Sequence, residues 1–381
     1  MTHKSDFVDL LDDVDETSKL FHSVNAIRLD ENGSHGSGMD GKGAVKAMEE
    51  GGAKLNGINA LLYGAGGISG VTAFELAQSG VKKLYIANRT PEKAEKIAAS
   101  FLEDKPTWVR CNLHRADRES ILASLKAQGT SVRELPFMES MIAIDGYDYL
   151  EGLDAFRKGW IQVQDVTSAF VGEIASPEKD SYIIDVCAAP GGKSLHLADK
   201  LEGTGMVEAR DLTYQKTALI EENMARCGVT NMKTLVWDAL ETDLSAMAKA
   251  DIVIADLPCS GLGIIGRKPD IKYNMTPEKL EELAGLQREI LSVVWQYVKP
   301  GGLLCYSTCT IDRLENQDNA AWLRDRFPLV PVDLTDRFGG LPQEPSLKDG
   351  WIQFLPGVHP YDGFFISVFR RAEDETGPEG I

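Results

Sequence analysis

The sequence has no feature of a membrane or exported protein. No apolar run among its 381 residues reaches the roughly 18 needed to cross a bilayer. The residues that follow Met1 contain no apolar signal core. We therefore predict no membrane partner and a cytoplasmic location.

Paired cysteines and basic residues are also scarce. The six cysteines form no Cys-x-x-Cys motif, so we predict reduced thiols and no metal site. The 40 basic residues are outnumbered by 58 acidic ones, which gives a net charge of −18. This balance argues against broad, non-specific nucleic-acid binding, because phosphate contacts require clustered Lys and Arg, but it is compatible with a local basic groove. Part of the excess lies in a predicted acidic tail, residues 372–381.

What the sequence does contain is enough apolar residues, 43%, for two or three folded domains. Residues 1–56 form a polar, glycine-rich segment. Within it, Asn32–Gly38 has the pattern of a loop and Gly43–Glu50 that of a short helix.

Residues 57–104 have the pattern of one βαβ unit of a dinucleotide-binding fold. An apolar strand at Asn59–Tyr63 leads into a tight glycine turn, a helix follows, and a second strand ends at Ala87. Asn88-Arg89-Thr90 then place a basic residue where NAD enzymes usually have an acid, which favours the 2′-phosphate of NADP. We therefore predict a partial Rossmann unit here.

Residues 105–150 predict a small α+β module, and residues 151–371 predict a complete α/β unit. In the second region, strands alternate with helices at the spacing of a parallel sheet. Its predicted strands are Ile183–Val186, Gly205–Ala209, Thr234–Trp237, Asp251–Ala255 and Leu303–Ser307. Between the last two strands, an apolar helical stripe runs from Leu283 to Tyr297.

The segment Asp185–Lys193 has the layout of a cofactor-binding loop between a strand and a helix. Gly191 and Gly192 let the backbone approach a ligand, and the following helix offers free amides to a carboxylate. Asp211 and Asp238 close the next two strand regions, where one can bind ribose hydroxyls and the other an adenine amino group. The alternative is that each Asp is only a helix cap or a turn residue.

Cys259 and Cys309 each follow an apolar strand, in polar turns at the edge where a parallel sheet presents catalytic residues. A thiolate at such an edge is suited to nucleophilic catalysis. Methylation at carbon 5 of cytosine needs it, because that carbon becomes nucleophilic only after a thiolate adds at carbon 6, and a second thiol could assist release. Asp256 could hydrogen-bond the ring nitrogen or amino group. Three further cysteines are predicted to be packing residues: Cys111, Cys227 and Cys305.

Residues 108–371 resemble the RsmB/Sun family of RNA cytosine-5 methyltransferases. The matching segments are Gly159–Asp165, Asp185–Lys193, Asp256–Gly263, Arg267–Lys272, Leu286–Leu291, Tyr306–Thr310 and Asp362–Phe365. The resemblance implies that Cys309 is the nucleophile and Cys259 the release thiol. It also implies S-adenosyl-L-methionine as the cofactor, bound by Cys187, Ala188, Ala189, Pro190, Gly191, Gly192, Lys193, Asp211, Asp238 and Asp256. Leu257 departs from the family's usual Ala.

By the same resemblance the partner is RNA, in particular small-subunit ribosomal RNA. Arg267, Lys268 and Lys272 are candidates for phosphate contacts, the alternative being solvated surface charge. The module at residues 105–150 resembles the family's RNA-binding extension. A cytosine within a duplex would have to be flipped out or presented unpaired.

Residues 1–101 resemble shikimate dehydrogenase instead. The residues that fall on motif positions of that family are Lys4, Asn25, Asp40, Gly64, Gly66, Gly67, Asn88, Arg89 and Thr90. The likeness is incomplete at both ends. We therefore expect no hydride transfer even if NADP binds, because half a nucleotide sheet offers no closed site. The family's helical RNA-binding domain would stand where this fragment stands, so the pattern is that of two truncated sequences joined near residue 105.

The predicted architecture is α/β. It combines a class I S-adenosylmethionine methyltransferase with a Rossmann-like sheet, a small α+β RNA-binding module and an N-terminal partial Rossmann βαβ fragment. The leading hypothesis is an RNA cytosine-5 methyltransferase. Two alternatives stay open: an NADP-dependent shikimate dehydrogenase, and a catalytically silent RNA-binding protein.

Overall fold

The structure is a computed structural model that describes residues 106–373 without a gap. Before residue 106 it describes only Leu11, residues 13–14, 26–30, 33–37, 39–50, 54–56, 59–63, Thr72, Leu76, Ser79 and residues 83–87. The chain divides into two compact units, Met1–Asp104 with Pro356–Val358, and Lys105–Leu355 with His359–Ile381. In the described part of the chain, no helix has both the length and the apolar character of a membrane span.

The first unit contains two small groups of strands and one described helix. Strands β1 (Asp13–Val14), β2 (Ala26–Asp30) and β3 (Gly33–Ser37) form one sheet, with β3 in the centre, and helix α1 (Met39–Glu50) follows. Strands β4 (Asn59–Tyr63) and β5 (Lys83–Ala87) form a parallel pair. This pairing agrees with the two strands expected of a βαβ unit.

The loop predicted at Asn32–Gly38 is wrong for most of its length, because Gly33–Ser37 is strand β3. Asp30 pairs with Gly33 in an antiparallel register, so the connection between β2 and β3 is only two residues long. A short connection before glycine is typical of a hairpin. The helix expected at Gly43–Glu50 is present but begins earlier, at Met39.

The second unit begins with a small module built on a four-stranded antiparallel sheet of order β7-β8-β6-β9. Its elements are β6 (Thr107–Cys111), α2 (Arg118–Ala127), β7 (Ser131–Glu134), β8 (Met141–Asp145), α3 (Asp154–Arg157) and β9 (Ile161–Val163). The predicted boundary at residue 150 does not fit this sheet. Strand β9 pairs with β6, so the module continues to Val163.

An eight-stranded sheet forms the rest of the second unit. Its strands are β10 (Tyr182–Asp185), β11 (Met206–Asp211), β12 (Met232–Val236), β13 (Ala250–Asp256), β14 (Val298–Thr308), β15 (Leu329–Pro331), β16 (Trp351–Phe354) and β17 (Phe364–Arg371). The strand order is β12-β11-β10-β13-β14-β17-β15, and β16 also pairs with β17. Strands β10 to β14 run parallel to their neighbours, whereas β17 runs antiparallel to β14.

The central strands β10 and β13 are largely apolar because helices cover both faces of the sheet. In β10, Ile183 packs into one apolar cluster and Ile184 into the other, and in β13 Ile252 and Val253 divide in the same way. The helices of this region are α4 (Val166–Ala175), α5 (Gly192–Lys200), α6 (Tyr214–Cys227), α7 (Ile271–Asn274), α8 (Pro277–Val294) and α9 (Gln317–Arg326).

The order of the strands places a crevice between β10 and β13. From β10 the chain moves outward to β11 and β12, and it then returns to the other side of β10 as β13. Parallel sheets bind ligands at such a reversal, beyond the carboxyl ends of the strands. Asp185 ends β10 and Asp256 ends β13, so both carboxylates lie at this edge.

Candidate active site

The loop after β10 is shaped by backbone hydrogen bonds. The amide of Ala188 donates to the Arg210 carbonyl at 2.8 Å, and the amide of Gly191 donates to the Ala188 carbonyl at 2.7 Å. Gly191 has φ 102°, which L side chains rarely adopt, and a Cβ there would lie 3.2 Å from Ile220. Gly191 provides no side-chain cap for α5, so the first amides of the helix are available to an anion such as a carboxylate.

Asp185 is a buried acid at the base of this loop. Its Oδ2 accepts a hydrogen bond from the Ser194 hydroxyl at 2.6 Å, whereas Oδ1 has no hydrogen-bond partner among the described residues. Burial raises the pKa of Asp185 to about 7. Asp185 is therefore a much weaker acid than an exposed aspartate.

Asp211 holds the same loop from the neighbouring strand. Its two oxygens accept the amides of Ala189, at 2.9 Å, and Leu212, at 2.8 Å, and Lys216 lies 3.0 Å away. A carboxylate can accept about four hydrogen bonds, so ribose hydroxyls could still bind. The Oδ1 of Asp238 accepts the Leu240 amide at 2.9 Å, a turn contact that engages one oxygen of its carboxylate.

Lys193 and Asp256 form an ion pair across the crevice. The Lys193 Nζ lies 2.5 Å from Oδ2 of Asp256, and the Ser307 hydroxyl donates to the other oxygen at 2.8 Å. Burial acts to lower the pKa of Lys193, but the charges of Asp256, Asp185 and Cys309 outweigh it and hold the pKa above its ordinary value. Lys193 is therefore a buried, permanently charged ammonium group.

The two cysteines predicted from the strand ends are in contact. Their sulfur atoms lie 3.4 Å apart. The hydrogen bond with Cys259 lowers the pKa of Cys309 despite burial, and the charges of Lys193 and Lys268 act in the same direction. The same hydrogen bond, followed by burial, raises the pKa of Cys259 well above its usual range. Cys309 is therefore the more acidic thiol of the pair, and the opposite shifts fit Cys259 as the donor of their hydrogen bond.

Close backbone contacts fix the turns that carry these thiols. The Gly263 amide donates to the Cys309 carbonyl at 3.1 Å, and the Gly363 amide donates to the Gly263 carbonyl at 2.8 Å. A Cβ on Gly263 would lie only 2.2 Å from the Gly363 carbonyl oxygen. Glycine is thus required at Gly263 by space rather than by its φ angle.

A buried polar network behind the Cys259 turn was missed by the sequence reasoning. One oxygen of Glu315 accepts both the Ser260 amide and the Gln287 amide nitrogen, each at 2.9 Å. Gln287 also donates to the Pro258 carbonyl at 2.9 Å. The sequence signal for this network is Gln287, a polar residue within the apolar stripe of α8, at helical spacing from Leu283. A polar side chain on a buried helix face needs a hydrogen-bond partner.

Of the residues predicted to contact RNA, Arg267 is engaged within the protein. Its Nε donates to Asp362, and its guanidinium lies 3.5 Å from a carboxylate oxygen of Asp165. Arg267 is nevertheless exposed, so its assignment as a phosphate contact stays a prediction. Lys268 is exposed beside the cysteine pair, and Lys272 belongs to α7, although its side chain lies outside the described residues.

Most of the residues assigned to a dehydrogenase lie outside the described residues. These are Lys4, Asn25, Gly64, Gly66, Gly67, Asn88, Arg89 and Thr90. Asp40 belongs to α1, but its side chain is not among those described. Across the described ranges, no group of three or more His, Cys, Asp or Glu side chains is placed to hold a metal ion.

A cavity of about 250 Å³ lies over the loop that follows β10. The residues around it are Val163, Gln164, Asp165, Ser168, Asp185, Cys187, Ala188, Ala189, Pro190, Gly192, Lys193 and Asp256. The side of the loop nearest the cavity is also open at Gly192, where an added Cβ would meet no atom of the described structure within 4 Å. The uncapped amides of α5 and the open backbone fit a cofactor that carries a carboxylate.

Fold and loop together define a class I S-adenosylmethionine-dependent methyltransferase. The sequence profile of the family "16S rRNA methyltransferase RsmB/F" matches residues 173–370, and the chain belongs to this family. A relative from Bacillus subtilis, "Probable ribosomal RNA small subunit methyltransferase B", is 33% identical over an alignment of 318 positions that covers 79% of this chain and 71% of that protein.

Solved structures agree on the fold. A methyltransferase homolog protein from Pyrococcus horikoshii is 26% identical with a TM-score of 0.63, over 74% of this chain and 91% of that one. NSun6 from the same organism is 23% identical with a TM-score of 0.67, over 74% and 95%, and this likeness shows the fold alone. The chain spans between 62% and 71% of the length of the curated relatives it matches.

A second family, "Shikimate / quinate 5-dehydrogenase", matches residues 45–132. The predicted likeness to this family is confirmed, but the matched segment begins later than residue 1 and ends later than residue 101. It therefore extends into the small module. There, β6 pairs antiparallel with β8 and β9 and belongs to a different sheet from the parallel β4 and β5.

Proposed function

We propose that this chain methylates carbon 5 of a cytosine in RNA through a covalent adduct with Cys309. One observation carries the proposal: two thiols lie 3.4 Å apart at the sheet edge, and they have opposite pKa shifts beside the Lys193–Asp256 pair. A buried thiol with a lowered pKa is the state required of a sulfur nucleophile.

Carbon–sulfur bond formation is the first step. The Cys309 thiolate adds to carbon 6 of the ring, and the electron pair that leaves the double bond makes carbon 5 nucleophilic. Asp256, oriented by Lys193 and Ser307, accepts a hydrogen bond from the amino group, or from the ring nitrogen once that nitrogen carries a proton, while charge develops. When bound, S-adenosyl-L-methionine supplies carbon 5 with an electrophilic methyl group and leaves as S-adenosylhomocysteine.

Release of the product falls to Cys259. Once Cys309 is bonded to carbon 6, it no longer accepts the Cys259 hydrogen bond, which is the largest cause of the raised Cys259 pKa. Cys259 then loses its proton to solvent and, as a thiolate, removes the proton from carbon 5. The carbon–sulfur bond breaks, the ring double bond re-forms and Cys309 leaves as a thiolate, so the original protonation of the pair returns.

The residues that would hold the donor follow from the loop geometry. Cys187 to Lys193 would cradle its amino-acid end beside the uncapped amides of α5. Asp211 would bind the ribose hydroxyls, Asp238 the adenine, and Asp256 the region where methyl donor and base meet. Three charges near the sulfur atoms, those of Asp256, Lys193 and Lys268, also set the ionisation of Cys309.

Ribosomal RNA of the small subunit is the proposed substrate. The curated relatives carry the name ribosomal RNA small subunit methyltransferase B, which supports this choice. Arg267, Lys268 and Lys272 are the proposed phosphate contacts. The four-stranded module that begins near residue 105 is the proposed RNA-binding extension.

The test is incubation of the purified chain with small-subunit ribosomal RNA and methyl-labelled donor, followed by mass-spectrometric mapping of the RNA. We expect 5-methylcytosine at one or a few positions. Label at another base, or no transfer to any RNA by protein that binds the donor, would refute the proposal. The dehydrogenase alternative stays a prediction, because its motif residues lie outside the described part of the chain.

A further inference from the structure

Gln164 is a buried amide without a hydrogen-bond partner. It follows β9 and precedes Asp165, and its backbone amide donates to the Trp108 carbonyl at 3.2 Å. Its side chain is 5% exposed, and neither Oε1 nor Nε2 has a partner among the described residues. A buried amide with both groups unpaired is costly, and such groups in native proteins call for an explanation.

Gln164 borders the same cavity as the loop that follows β10. Asp211 and Asp238, the residues proposed for ribose and adenine, are not among the described residues around the cavity. The cavity therefore lies toward the other end of the proposed donor. That end is an α-amino acid, with one ammonium group and one carboxylate.

We infer that the Gln164 side chain binds the amino-acid end of S-adenosyl-L-methionine, an inference that rests on the proposed function. Its Nε2 donates to the carboxylate and its Oε1 accepts from the ammonium, so one neutral amide satisfies both charges of the zwitterion. Asp185 adds a second buried acceptor, because its unpartnered Oδ1 belongs to a residue of the same cavity wall. The acids around the cavity outnumber Lys193, which favours a cationic ligand.

The other chemistry that could pair with a buried amide is the edge of the target base. Geometry favours the donor over the base. Neither Cys259 nor Cys309 is among the described residues around this cavity, whereas a base bonded to Cys309 has to lie against both sulfurs.

The test compares two neutral thioethers that differ only in the amino-acid end. S-adenosylhomocysteine has that end, and 5′-methylthioadenosine lacks it. We expect Gln164→Met to weaken S-adenosylhomocysteine by roughly tenfold or more, the scale of lost hydrogen bonds to charged groups, and to change 5′-methylthioadenosine by less than about twofold. Isothermal titration calorimetry without RNA measures both affinities.

Melting temperature of the ligand-free protein separates binding from folding. Gln164→Met replaces an unpaired buried amide by an apolar side chain, so the melting temperature should be unchanged or raised. The matched control is Gln162→Met, two residues earlier on β9. Gln162 accepts a hydrogen bond from Arg226, so this variant should melt lower while it keeps the wild-type ratio of the two affinities.

Three outcomes overturn the inference, and one distinguishes it from the proposed function. Equal weakening of both ligands by Gln164→Met, with a lowered melting temperature, would show a structural role. Unchanged ligand affinities with a raised KM for RNA would assign Gln164 to the base. Unchanged affinities and unchanged kinetics would leave it no role. A wild-type chain that binds neither thioether would instead refute the donor site as a whole.

Discussion

The interior of strand β14 and the turn at its end carry two cysteines in different surroundings. Cys305 lies within the strand, fully buried, and burial raises its pKa to about 12. Cys309 lies four residues later, just past the strand end at Thr308, where it is only partly buried, and its pKa is lowered although desolvation acts to raise it. Burial alone would make both thiols inert.

Their neighbours account for the difference. Cys305 belongs to the apolar cluster on one face of the sheet, where no charge offsets its desolvation apart from that of Arg337. Cys309 accepts a hydrogen bond from Cys259 and lies near two lysine charges. The comparison teaches that a thiol placed beyond the strand end can have a lowered pKa, because a partner from the adjacent strand and nearby charges can reach it there.

The strongest way to test this comparison is to remove each thiol in turn. Cys309→Ala should lower methyl transfer by roughly a thousandfold or more, as loss of a covalent nucleophile does in other enzymes. Cys305→Ala is the matched control. It should keep the activity and lose only about 1 kcal/mol of the free energy of unfolding, because it leaves a small cavity. Comparable activity loss in the two variants would contradict the distinction.

Removing the partner thiol should separate attack from release. In Cys259→Ala, Cys309 can still add to the ring, but no thiolate takes the carbon-5 proton, so turnover should fall by roughly a hundredfold. A covalent protein–RNA species should accumulate and be visible as a shifted band in a denaturing gel. The double variant with Cys309→Ala should form no such band. If the single variant forms none either, Cys259 has another role.

Removing the charge of Lys193 should reduce the difference in pKa between Cys309 and Cys305 without abolishing it. Lys193 lowers the pKa of Cys309, so Lys193→Met should raise that pKa, and the thiolate should then appear only at higher pH. The rate of Cys309 alkylation at neutral pH should therefore fall several-fold, with its acid limb moved to higher pH. Lys200→Met, on the same helix but paired with Glu173 at 2.8 Å, should leave the profile unchanged.

Strand ends were the part of this site that could be predicted from sequence. The apolar run of β13 and the turn after it located Asp256 and Cys259, because parallel strands buried on both faces have an unbroken apolar pattern. The 3.4 Å contact between Cys259 and Cys309 could not be predicted in the same way, because it depends on β13 and β14 being adjacent in a particular register.

Long-range ion pairs could not be predicted from the sequence. Arg267 is a sequence-based candidate for a phosphate contact, but a basic residue in a polar segment gives no sign of a partner within the protein. Its partner Asp362 lies 95 residues away in sequence. Gln164 could not be predicted to lack a partner either. Its local sequence pattern does not distinguish its unpaired side-chain amide from that of Gln162, which is paired with Arg226.

The smallest effect is expected from the network behind Cys259. Burial raises the pKa of Glu315, one oxygen of which accepts two hydrogen bonds while the other has no partner in the described structure. The substitution Glu315→Gln replaces the carboxyl by an amide, which does not ionise but keeps one accepting oxygen. Turnover at neutral pH should stay within about threefold of wild type. A change of that size corresponds to the net free energy of one hydrogen bond or less.

The pH dependence of the free energy of unfolding predicts the sign of the effect of Glu315→Gln. A carboxyl whose folded pKa is raised stabilises the fold below its unfolded pKa, and this contribution is lost as pH rises through the folded value. Glu315→Gln lacks that loss, so its free energy of unfolding relative to wild type should be higher at pH 8 than at pH 5. Urea unfolding at the two pH values measures it. A variant that loses stability most at pH 8 would mean that the network depends on the ionised carboxylate of Glu315. The charge of Glu315 would then influence the two thiols as the charges of Lys193 and Lys268 do.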